Sequence, residues 1–117
     1  MPLTERDRLD HMLEAAADAL QFSAGRSRAE LDRDRMLRRA LIQCLEVIGE
    51  ASTHVSTETR ALLPGIPWRD VRGMRNFLAH AYFNVDLDIL WKAVTQDVPV
   101  LAAALQRVLG PTGGAER

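Results

Sequence analysis

The sequence predicts an all-α protein, an up-down bundle of four or five helices. Apolar residues recur at three- and four-residue intervals along most of the chain. No segment alternates apolar and polar residues with period two for long enough to form a strand. The breaks between periodic segments are short, which favours antiparallel neighbours. At 117 residues the chain fits one domain. A chain of this size buries roughly 65% of the surface its unfolded form exposes. The domain is expected over residues 1–109, with 110–117 as a loose tail.

Thr4, with Asp7 three residues on, forms a weak capping box for a first helix. Leu9, Met12, Leu13, Ala16 and Leu20 give that helix its inner face, and Gly25 ends it. Ser27 with Glu30 is a better capping box. It opens one long helix with apolar residues Leu31, Met36, Leu37, Ala40, Leu41, Cys44, Leu45, Val47, Ile48, Ala51 and Val55. So wide an apolar face suits a central helix touching two partners. Ser56 can cap a short turn through Leu62, and Pro64-Gly65-Ile66-Pro67 is a break. Pro67 suits a first helical position, so a further helix is expected from about Trp68 to Phe83. Asn84 or Asp86 caps the last helix, whose inner face carries Leu87, Leu90, Trp91, Val94, Val98, Leu101, Leu105 and Val108. Pro99 lies within that pattern and should kink the helix or split it after Asp97.

The net charge of −1 rules out a global basic field, so any nucleic-acid site must be a local patch. A single cysteine, Cys44, excludes an internal disulfide and a zinc knuckle. The charged start is not a secretory signal, and no apolar run is long enough to span a membrane. A cytoplasmic protein without a membrane partner is expected.

Residues 75 to 82, Arg75-Asn76-Phe77-Leu78-Ala79-His80-Ala81-Tyr82, concentrate the chemistry of the chain. An arginine can grip a phosphate through its planar fork of donors. A histidine can move a proton near neutral pH. On a helix turning roughly 100° per residue, Val71, Met74, Leu78, Ala81 and Val85 form the core stripe. Opposite it, Tyr82, Arg75, Ala79, Arg72, Phe83, Asn76 and His80 share one arc. Such polar residues on one face are more often solvated surface, but Phe83 within the arc argues that the face is covered. Arg75 and His80 are five apart, hence about 140° apart on a regular helix. Either the helix deforms near His80, or the ligand lies across the arc, or two chains pair so that each contributes part of the site. The shared site of a symmetric homodimer is the expectation.

The spacing of Arg75, His80 and Tyr82 resembles the RX4HXY signature of HEPN-domain proteins of the HepT type. Gly49-Glu50-Ala51, Ile66-Pro67-Trp68, Gly73-Met74-Arg75-Asn76 and Trp91 agree with the same family, over nearly the whole chain from Leu9 to Leu109. The resemblance implies a dimeric helical bundle whose motifs meet in a cleft between the chains. It implies the toxin half of a type VII toxin–antitoxin pair, partnered by a minimal nucleotidyltransferase that transfers AMP to the motif tyrosine. It makes Arg75 and His80 the ribonuclease residues, Asn76 their support and Tyr82 the AMPylated residue.

The chemistry is consistent with RNA. RNA carries its own nucleophile in the 2′-hydroxyl, so no metal or cofactor is expected. His80 suits a base or acid, and Arg75, with Arg72, suits charge stabilisation on the phosphate. Asn76 could orient His80, one turn away. The alternative is a non-catalytic helical subunit that binds a nucleotide and docks a nucleotidyltransferase; a plain dimerising bundle is a third reading.

Among the remaining residues, Cys44 reads as core filler, and His11 and His54 as surface. Arg33, Arg35, Arg38 and Arg39 read as a solvated face paired to Glu30, Asp32 and Asp34. Glu46 and Glu50 read as exposed, and Trp68 and Trp91 as bundle anchors.

Overall fold

The computed structural model describes residues 3–74 and 86–110, and every regular element among them is helical. Helix α1 spans Glu5–Ser23. Its capping box is complete. The Asp7 N–H donates to Thr4 Oγ1 at 3.0 Å, and the Thr4 N–H donates to Asp7 Oδ2 at 2.9 Å. Leu9, Met12, Leu13 and Ala16 are buried as the periodicity requires, joined by Ala15 and Ala19. The small residues let neighbouring backbones approach. Gly25 takes φ +73°, the left-handed conformation that turns the chain after the helix.

The expected single helix from Ser27 is two helices, α2 (Glu30–Arg33) and α3 (Arg35–Thr53). Asp34 separates them in an extended conformation, φ −107° and ψ 96°. Its carboxylate accepts the Leu37 N–H at 3.0 Å and so caps α3. Arg26 holds the corner, donating to Glu30 at 2.9 Å and to Asp34 at 2.6 Å. The Ser27 N–H donates to Glu30 Oε2 at 2.6 Å, one half of the expected box, but a tight turn precedes the helix and Ala29 occupies the cap position. The break leaves Met36 in the first turn of α3, 80% exposed rather than in the core. Farther along, Leu37, Leu41, Cys44, Leu45, Ile48 and Ala51 are buried.

Helix α4 spans Thr57–Leu62, with the Thr59 N–H donating to the Ser56 hydroxyl at 3.1 Å. Helix α5 spans Trp68–Gly73, with Pro67 at its cap position. The expected continuation to Phe83 lies outside the described residues. Asp86 starts helix α6 (Leu87–Lys92), accepting from the Asp88 and Ile89 N–H groups.

A π-helical turn, Ala93–Asp97, then joins α6 to helix α7 (Val98–Leu109). The Val98 N–H donates five residues back, to the Ala93 carbonyl. The helix changes character at Asp97, as Pro99 required, through a widened turn. Widening relieves the clash of a proline ring with the carbonyl four residues earlier. The turn also holds one extra residue, so the face of α7 rotates by roughly 100° from a continuous helix. Ala102 is therefore buried, Leu109 packs against the core, and Val108 is 43% exposed, contrary to its expected inward position.

Helix α1 packs against α3 and α7, and α3 also packs against α5. Two bonds at the start of α1 fix the antiparallel directions. The Ser56 N–H donates to Glu5 at 2.8 Å, and Arg6 donates to the Leu109 carbonyl at 3.2 Å. At the opposite end Arg28 donates to Asp88 at 2.6 Å, tying the connection after α1 to the start of α6. The core runs through all three long elements, with Met12, Leu13, Leu41, Leu45, Ile48, Val94, Val98, Leu101 and Leu105 almost fully enclosed. No described helix is long and apolar enough to cross a membrane.

Candidate functional site

Residues 69 to 74 lead directly into the motif, and the chain returns to the described structure at Asp86. Arg75, Asn76, His80 and Tyr82 lie outside the described residues; Arg72 lies within them. Val71 and Met74, the first two members of the core stripe, are buried at 0% and 3% exposure. That orientation leaves Arg72 exposed on α5.

Arg72 lines an open groove of about 1260 Å³. The walls come from three stretches: the end of α3 with α4, then α5, then α6 with the π turn. Arg60, Arg69, Arg72 and Lys92 bring four cations to the groove, against the carboxylates of Asp70 and Asp97. A local basic patch is therefore present on a near-neutral chain, and one of its walls immediately precedes the motif in sequence. Trp68 also lines it. Its indole N–H donates to the Leu63 carbonyl at 3.0 Å, which fixes the half-buried ring between core and groove.

Arg60, Arg69 and Lys92 were not among the sequence candidates. Arg69 could have been found beside Arg72, since residues three apart on a helix are neighbours. Arg60 and Lys92 join them only through tertiary packing, which leaves no local signal.

The basic run behaves differently from expectation. Glu30 and Asp34 pair with Arg26, and Asp32 and Asp88 with Arg28, so the acids go to residues ahead of the run. Arg38 donates to the Leu31 and Asp32 carbonyls, closing the end of α2, while Arg33, Arg35 and Arg39 are exposed. Glu50 is hydrogen-bonded to His54 at 3.1 Å, and Glu46 is exposed. Cys44 is buried, and that burial, with a smaller contribution from Asp18, pushes its thiol up to about 11. Among the described residues no three His, Cys, Asp or Glu gather to hold a metal ion.

The family model described as "Ribonuclease HepT-like" matches residues 12–108, which take in most of α1, all the residues that line the groove, and the motif. The chain belongs to the HepT-like ribonuclease family. It is 38% identical over 97 residues to a protein of Methanocaldococcus jannaschii named as a candidate RNase, covering 83% of this chain and 89% of that one. It is 35% identical over 108 residues to a probable ribonuclease HepT of Thermococcus cleftensis, covering 92% and 98%. A further candidate RNase, from Caldanaerobacter subterraneus subsp. tengcongensis, is 32% identical over 106 residues, covering 91% and 95%. No solved structure matches the chain. In this HepT-like chain the family's motif follows a basic groove wall without an intervening residue, since Met74 lines the groove and Arg75 comes next.

Proposed function

We propose that the chain is a metal-independent endoribonuclease, the toxin of a type VII toxin–antitoxin pair, working as a homodimer in the cytoplasm. The reading rests on membership of the HepT-like family together with the Arg75/His80 pair, whose Arg75 comes next in sequence after Met74 of the groove. His80 takes the proton of an RNA 2′-hydroxyl, or returns one to the departing oxygen. The 2′-oxygen bonds to phosphorus, the bond to the 5′-oxygen breaks, and the proton ends on that 5′-oxygen. The products are a 2′,3′-cyclic phosphate and a 5′-hydroxyl. Arg75, assisted by Arg72, stabilises charge on the phosphate, and Asn76 orients His80. A second copy of the chain brings a second motif to the cleft.

Neutralisation follows from Tyr82. Its phenol oxygen attacks the α-phosphorus of ATP on a cognate minimal nucleotidyltransferase; pyrophosphate leaves and the phenolic proton passes to solvent. The AMP phosphate then sits close in sequence to Arg75 and competes for the substrate phosphate site.

Expression of the chain alone should arrest growth, and His80→Ala should relieve the arrest. Equal toxicity of that variant would remove His80 from the chemistry. Incubation with the nucleotidyltransferase and ATP should add about 329 Da per AMP to the wild-type chain and nothing to Tyr82→Phe. Binding of nucleotide by a chain that leaves tRNA and mRNA intact would instead indicate a non-catalytic partner subunit.

A further inference from the structure

Building on the ribonuclease reading above, we propose that the groove takes single-stranded RNA, with Arg60, Arg69 and Lys92 contacting phosphates and Trp68 offering a stacking surface to a base. The volume of about 1260 Å³ exceeds the roughly 300–1,000 Å³ typical of small-molecule sites and suits several nucleotides. The cations stand on different elements: Arg60 on α4, Arg69 on α5 and Lys92 on α6. A strand lying in the groove would meet positive charge on more than one wall.

These cations are also available. Among the described residues no hydrogen bond or ion pair engages Arg69 or Lys92, and Arg60 donates only to Thr57 Oγ1, at 3.2 Å. Arg26, Arg28 and Arg38 are by contrast committed to carboxylates and helix carbonyls. Arg33, Arg35 and Arg39 are exposed too, but on α2 and α3 rather than around the groove. Trp68 adds the second ingredient of single-strand recognition, an aromatic ring in a cationic channel. Stacking on a ring fixed by its own N–H requires an unpaired base, so the groove selects single strands over duplex.

The test measures binding of a labelled 12-nucleotide single strand and of a duplex of equal length to full-length His80→Ala protein, across a salt series. The single strand should bind more tightly. Arg69→Ala and Lys92→Ala, both at exposed positions, should each weaken it about 3- to 10-fold and lower the salt slope by about 0.7. In the otherwise wild-type chain the same changes should raise KM and leave kcat unchanged. Unaltered affinity and salt slope in folded variants, or equal affinity for duplex, would overturn the groove assignment. Wild-type protein that binds in this manner but cuts no RNA would instead sink the ribonuclease reading and leave the groove standing.

Discussion

Cys44 shows how surroundings set the chemistry of a single side chain. Its thiol is raised to about 11 by burial, so near neutral pH it is protonated and shielded. Iodoacetamide should label it only after denaturation; rapid labelling of the folded chain would contradict that burial. Leu45, with 0% exposure, sits in the same packed layer. Leu45→Ala should cost about 2–5 kcal/mol in urea unfolding, because the enclosing helices cannot close fully over the lost methyl groups. Both residues were legible from helical spacing alone. Met36 was not, since its spacing fits the apolar face and only the break at Asp34 takes it out of the core. Arg72 was legible as a polar residue opposite the core stripe, which is where it stands on α5, whereas Arg60 and Lys92 reach the groove from distant segments.

Among the elements, most caps and most inner faces were readable, and the interruptions within helices were not. Thr4, Ser56 and Asp86 all cap the helices their sequence contexts indicate. Ser56→Ala should cost about 1 kcal/mol, the usual loss when an N-cap hydroxyl is removed. The division of α2 from α3 was hidden because Asp34 lies in an uninterrupted helical pattern, and its bonds to the Leu37 N–H and to Arg26 become visible only in the folded chain. The π turn was hidden for a similar reason: Pro99 announces a disturbance without saying whether a residue is gained or lost. The consequence is checkable on α7. Ala103→Asp, at an exposed position, should be tolerated, whereas Ala102→Asp, one residue away and 5% exposed, should strongly destabilise the fold. Similar unfolding curves for the two would mean that the register is wrong.

Across the whole molecule, α1 is fastened at its start to both neighbours, by Glu5 to Ser56 and by Arg6 to Leu109. Hydrogen bonds from the Ser56 backbone and the Thr59 and Ser56 side chains lower the pKa of Glu5 below its ordinary 4.5. Backbone bonding to Leu37, then Arg26, does the same for Asp34 from 3.8. A carboxylate whose folded value is depressed stabilises the fold above its unfolded value and loses that contribution as pH falls through the folded one. The urea midpoint should therefore drop as pH is lowered from about 5 to about 3, and Glu5→Gln should flatten part of the drop. A midpoint indifferent to pH in that window would mean that these fastenings add nothing. No described residue lining the groove belongs to α1 or α7, and Arg69, Arg72 and Lys92 are exposed. These cations can thus be altered without disturbing the main packing.

The π turn also bears on how this chain is compared with its relatives. A homologue whose last helix is regular through the equivalent of Ala93–Asp97 must be matched with a one-residue gap there. Without the gap, every position of α7 would be compared with the wrong counterpart, and an outward Val108 would be matched to an inward residue.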